Sequence, residues 1–128
     1  MAFLDETGLA ELWRLVKAED AKGVKIATGT YVGTGTNGNS NPNSLTFAFE
    51  PKLLFIAPSV THHNNNFTSF GFFVKGGAAY TAFPASLGVN DNYYCGTANW
   101  SGNTVSWHTN NEMNQLNCAI TYHYVAIG

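Results

Sequence analysis

Asn90, Asn92, Tyr93, Tyr94, Asn99, Trp100, Trp107, His108, Asn110 and Asn111 fall within about twenty residues of one another. Sugar rings stack on Trp and Tyr faces, and their hydroxyls take paired hydrogen bonds from Asn and His side chains. A set of this composition therefore suits a carbohydrate site. Its candidate members are Asn92, Tyr93, Tyr94, Asn99, Trp100, Trp107, His108 and Asn110. A competing reading places Trp100 and Trp107 in the core or across a hairpin from neighbouring strands. Tyr93 and Tyr94 are adjacent, so on a strand they cannot both point inward.

Other chemistries are less well supplied. Gly33-Thr34-Gly35-Thr36-Asn37-Gly38 matches the glycine pattern of a dinucleotide-binding turn, but Asn39-Ser40-Asn41-Pro42-Asn43 follows it. A phosphate site of that kind needs a helix opening at the third glycine, and this continuation is loop chemistry, so the glycines read as turn residues. No spacing of His62, His63, His108 and His123 sets two imidazoles on one ion. We expect no metal site. The alternative is a threefold axis that gathers one His123 from each of three chains. Past residue 25 the carboxylates are Glu50, Asp91 and Glu112. Glycoside hydrolysis needs two carboxyl groups facing each other across a sugar, and these three sit before a proline or in polar loops. There is no nucleophile elbow either. We expect neither enzymatic activity nor a cofactor.

Charge divides the chain in two. Nine of its fourteen charged side chains lie in the first 25 residues, and only Glu50, Lys52, Lys75, Asp91 and Glu112 follow. A body with two lysines and no arginine lacks the basic footprint of a nucleic-acid groove. It must stay soluble through amides and hydroxyls, as do surfaces that touch sugars or pack into assemblies. No apolar run is long enough to span a membrane. The opening MAFLDETG has acidic residues where a signal peptide carries positive charge, so assembly in a cytoplasm is expected. With 45 % apolar and 14 % aromatic residues, the body can build a core. Cys95 and Cys118 read as small buried hydrophobes on strands rather than as a disulfide framework.

These residues need elements to hold them. Leu9, Leu12 and Val16, with Trp13 beside them, have the three-four spacing of a helix seam. Asp5 can cap the helix start, and Gly23 can end it. The helix is too short to stand alone, so its seam packs either on its own body or against copies of itself. From Val24 the period changes to two. Strands are expected over 24–32, 45–49, 53–57, 67–75 and 80–83, with loops at 33–43, 62–66 and 84–92. A hairpin is expected over 97–108, turning at Gly102-Asn103. A long last strand is expected from Leu116 to the end, central or well paired. The fold class is mainly β: an antiparallel β-sandwich of about seven or eight strands with one short N-terminal α-helix. Residues 1–23 form a helical oligomerisation segment and residues 24–128 the sandwich.

The segment Phe3-Leu4-Asp5-Glu6-Thr7-Gly8-Leu9 with Leu12-Trp13 resembles the openings of small tail-associated proteins of phages and prophages of Gram-positive gut bacteria. Gly29 to Gly33, Asn41 to Phe47, Pro51-Lys52, Trp100 to Trp107 and Tyr124 to Gly128 are similar to their minor structural or tail-fibre tip domains. Phe49 to Lys52 and the closing Ala126-Ile127-Gly128 also resemble H-type lectin-like sandwiches, which assemble as trimers and bind carbohydrate near subunit boundaries. The resemblance implies a virion tail protein, homotrimeric through Leu9, Leu12, Trp13 and Val16, with other tail proteins and a bacterial surface glycan as partners. It carries no binding residue over to this chain. The alternatives are a monomeric carbohydrate-binding module outside a virion, or a small cell-wall hydrolase using Asp91 or Glu112.

Overall fold

The structure is a computed structural model and describes residues 6–21, 23–77, 79–82 and 93–128. Among the described residues one helix precedes ten strands: α1 (Glu6–Ala21), β1 (Ile26–Val32), β2 (Asn43–Thr46), β3 (Leu53–Pro58), β4 (His62–His63), β5 (Asn66–Phe67), β6 (Phe70–Val74), β7 (Ala79–Ala82), β8 (Tyr93–Ser101), β9 (Thr104–His108) and β10 (Thr121–Ile127). Eight strands follow the order β1-β10-β3-β6-β7-β8-β9-β2, and every pair is antiparallel. The turn of the ribbon lies in β8. Its first half pairs with β7 and its second half with β9. The sheet thereby folds into two facing layers, the expected sandwich. Ring contacts cross between them: Phe73 to Trp107 at 5.3 Å, Tyr31 to Trp107 at 6.3 Å and Phe47 to Tyr124 at 5.8 Å between centroids. Leu54, Ile56, Val105, Leu116, Cys118, Tyr122 and Ala126 complete the buried core.

Strand alternation sorts side chains as the period-two pattern requires. On β6, Phe73 is buried, whereas Phe70 and Phe72 face outward. On β10, Tyr122 and Ala126 point in, and His123 and Val125 point out. β10 lies between β1 and β3, so the last strand is paired on both edges as expected.

Four sequence expectations need correction. β10 starts at Thr121 rather than Leu116. Leu116 is buried in the left-handed region at φ 60°, and Asn117 turns its amide toward Thr34 and Thr36, so the chain from Asn111 to Cys118 folds as a compact irregular plug. Cys118 consequently lies in that plug and not on a strand; it is a free thiol, and burial pushes its pKa up. His62 to Asn66 is not an open loop. It is the two-residue hairpin β4-β5, with Asn64 and Asn65 at φ 50° and 64°, a conformation asparagine tolerates better than most residues. The predicted second strand is also shorter, because the chain leaves the ladder after Thr46 while Phe47 still turns into the core. The irregular stretch expected over 84–92 lies outside the described residues.

Candidate functional site

The strand order leaves β1 and β2 as the two free edges of the ribbon, and folding brings them to the same side of the sandwich. Between them opens a cleft of about 350 Å³. Tyr31 and Val32 border it from β1, Asn43 to Leu45 from β2, and Thr34, Thr36, Asn41 and Pro42 from the connecting loop; Trp107 and Asn117 complete the wall. Every lining residue is uncharged. Tyr31 is the one ionisable group among them, and burial next to Tyr122 pushes its phenol far above the range in which it would ionise.

Amides fix the loop that forms this cleft. The buried Gln115 accepts from Gly38 N at 2.8 Å and Thr109 N at 3.0 Å through Oε1, and its Nε2 donates to Asn41 O at 2.6 Å and Asn43 Oδ1 at 3.3 Å. Asn117 accepts from Thr34 N at 3.0 Å and donates to Thr34 Oγ1 at 2.8 Å and Thr36 O at 2.7 Å. Asn43 Nδ2 donates to the carbonyls of Gln115 and Leu116, and Tyr31 donates its hydroxyl to Leu116 O at 2.8 Å. Buried amides are costly unless their bonds are filled, and here the two sides of Gln115 are both filled.

The structure disperses the residues that the sequence grouped as a sugar site. Asn92 lies outside the described residues. Tyr93 and Tyr94 begin β8, and their side chains are likewise outside the description. Register pairs Ala98 with Trp107 and Trp100 with Val105, on the inward face of the β8-β9 hairpin. Trp107 is only 2 % exposed, packs on Phe73, and donates its indole N–H to Gln115 O at 2.8 Å. It is a core residue, and it reaches the cleft only as part of the wall. Asn99 faces outward opposite Ser106, His108 is half-buried opposite Thr97, and Asn110 is exposed beyond the strand end. Alternation at period two separates the indoles from Asn99, and this local rule overrides their closeness in sequence. Trp107→Phe is expected to keep the ring contact and lose the Gln115 bond, costing about 1–2 kcal/mol in a urea titration.

The cleft is not legible in the sequence because its residues are scattered from Tyr31 to Asn117. The one available signal was the Asn and Thr content of the 34–43 loop.

Elsewhere, among the described residues, no cluster of three His, Cys, Asp or Glu side chains could hold a metal. His123 projects from the outward face of β10, between Thr30 and Ala57 in register. Glu50 is paired with Lys75, whose ammonium holds its carboxyl below the usual range. Glu112 approaches the loop at Gly35, and Asp91 lies outside the described residues.

Two apolar faces have no cover among the described residues. On α1, Leu9 and Trp13 are 57 % and 60 % exposed, Leu12 and Leu15 are nearly as open, and no strand packs substantially against the helix among the described residues. Lys17 Nζ sits 5.3 Å from the Trp13 ring centre, a cation–π contact. The side chain of Val16 is outside the description. The second face is the outer surface of β1, β10, β3 and β6. Register stacks Ile26, Ile127, Leu53 and Val74 in one row, and Thr28, Val125, Phe55 and Phe72 in the next. Phe55 and Phe72 are 43 % and 37 % exposed and stack with centroids 4.6 Å apart. Beside them lies an almost wholly apolar hollow of about 280 Å³, bordered by Phe55, Ala57, Phe70, His123 and Val125. No described helix is long and apolar enough to cross a membrane.

Comparison with protein-family models, curated proteins and solved structures finds no match to this chain.

Proposed function

We propose that the protein is a phage tail-associated structural and receptor-binding module, homotrimeric, that recognises a glycan on the bacterial surface from the virion. The observation that carries this reading is the pair of uncovered apolar faces on a body with five charged residues after position 25. An antiparallel sheet that meets water on one side normally alternates apolar in and polar out. Here the rows through Phe55 and Phe72 are apolar on both sides, so a second layer of protein is required to cover the outer one. A neutral apolar face packs on identical copies at small desolvation cost. The helix seam extends that logic to the N-terminus, where three copies of Leu9, Leu12, Trp13 and Val16 would gather about an axis. The resemblance of the opening and closing segments to tail-tip proteins supplies the virion context. The neutral cleft, lined by amides and hydroxyls, suits a glycan.

The test is solution mass by light scattering. The chain weighs 13.8 kDa, and the expected species has three times that mass. Phe55→Asp combined with Phe72→Asp should convert it to a single-chain species with an unchanged β-type circular dichroism spectrum, because burying two unpaired carboxylates in the contact is prohibitive. A wild-type mass of one chain would count against assembly, and a double variant that stays trimeric would count against the Phe55 and Phe72 face as the contact.

A further inference from the structure

We propose that the cleft between the free edges of β1 and β2 is a binding site for one neutral sugar ring of a glycan, distinct from the outward face of the β8-β9 hairpin. The assignment shares its ligand class with the tail reading but does not depend on trimer assembly.

The shape comes first. A cleft of about 350 Å³ is within the range that holds small ligands, and it lies where two unpaired strand edges converge. Its chemistry is mixed in the way a sugar requires. Tyr31 and Leu45, both partly exposed, supply apolar surface for the C–H face of a ring, and the buried Trp107 backs them. Tyr31 is itself held rigid: it stacks on Tyr122 at 5.1 Å and 15° and is tied to Leu116 O by its hydroxyl.

The polar groups then divide into two sets. Asn43 and Asn117 spend their amides inside the protein, holding the wall. Asn41 Oδ1 has no partner among the described residues, although Asn41 lines the cleft and is exposed. Thr34 and Thr36 are exposed; their hydroxyls share one hydrogen bond and both accept from Asn117 Nδ2, which leaves the pair one O–H to donate and one lone pair to accept. Available groups therefore line the loop side of the opening, on Asn41, Thr34 and Thr36, opposite the apolar wall of Tyr31 and Leu45. That is the arrangement needed to grip several hydroxyls of one ring.

The lining carries no formal charge, so nothing in it would offset the desolvation of an ionic ligand. A neutral ring fits, whereas a phosphate or carboxylate does not. The frame is also built at some conformational cost. Leu116 is a buried non-glycine residue in the left-handed region, and Gln115 and Asn117 are buried amides. Strain of this kind persists where surrounding contacts over-determine it, and it recurs at ligand sites.

The experiment is an amide-correlation NMR titration of the full chain with the methyl glycosides of glucose, galactose and N-acetylglucosamine, and with glucuronic acid as the charged comparison. At least one neutral glycoside should shift the amides of Thr34, Thr36, Asn41 and Ser44, and glucuronic acid should bind more weakly. Pro42→Trp, which fills the opening from an exposed loop position, should abolish the shifts. Asn41→Ala, which removes only an exposed amide, should weaken binding by about tenfold. Shifts confined to Asn99, His108 and Asn110 would overturn the cleft assignment while leaving glycan recognition standing. No response to any neutral glycoside, or unchanged binding by both variants, would also overturn it. Neither result bears on the solution mass, so the assembly reading fails or survives separately.

Discussion

Gln115→Ala should lower the unfolding free energy by roughly 3–5 kcal/mol, a large part of the stability of a domain this size. The side chain is fully buried and makes four hydrogen bonds, to Gly38, Asn41, Asn43 and Thr109. Truncation leaves the Gly38 and Thr109 N–H groups and the Asn41 carbonyl without that partner, and opens a void at the base of the 34–43 loop. In a thermal melt the expected loss is about 10–20 °C. Gln115→Glu gives a sharper test. It keeps the shape but replaces a donor to Asn41 O with a carboxylate oxygen. Burial should raise the folded-state pKa of that carboxyl above its unfolded value. Its stabilising contribution is then present at low pH and lost as pH rises through the folded pKa. The Glu variant should therefore approach wild-type stability on acidification relative to its deficit at neutral pH, whereas the Ala variant should keep its deficit. A Glu variant equal to wild type at neutral pH would show that Gln115 does not organise the loop.

Gly33→Ala should be comparably severe, at about 3 kcal/mol or more, and for a different reason. Gly33 is buried where β1 enters the loop, and its N–H donates to Ile120 O at 2.9 Å. A Cβ at this position would overlap the Cys118 carbonyl oxygen and lie 2.6 Å from the Asn117 carbonyl carbon. Both obstacles are backbone, so no rotamer change relieves them. Gly38→Ala is the control. Gly38 has φ of 93° but open space around it, so only backbone strain of about 1–2 kcal/mol is expected there. Chemical denaturation of the pair separates steric closure from conformational strain. Equal losses would mean that the approach of Gly33 to the plug is not tight.

Both variants act on the contact between the 33–43 loop and the 111–118 plug, and the sequence held no legible sign of that contact. The Gly38–Gln115 bond spans 77 residues and the Asn117–Thr36 bond 81. Such partners leave no periodic trace. The apparent alternation of Leu116, Cys118, Ile120 and Tyr122 even suggested an unbroken strand. That pattern arises because buried residues are apolar whatever the backbone does. The same limit applied to the sugar-site residues. Trp100 and Trp107 are close to Asn99 and Asn110 in sequence, but strand alternation sends both indoles inward.

The sequence by itself determined what depends on neighbours along the chain. Spacing of Leu9, Leu12 and Val16 specified α1, period-two alternation specified β1 and β6, the apolar run ended by Pro58 specified β3, and Gly102-Asn103 specified the hairpin of β8 and β9. The same alternation placed Phe70 and Phe72 opposite Phe73. Charge-poor composition marked the body as a surface of amides and hydroxyls. Tertiary structure alone decided that β1 and β2 end the ribbon on one side, that Gln115 and Asn117 fasten the loop between them, and that the outer rows of β3 and β6 remain uncovered. The physical reason is range. Helix and strand periodicity follow from backbone geometry within a few residues, whereas a cleft and an exposed face arise from which distant strands pair and where the ribbon folds over.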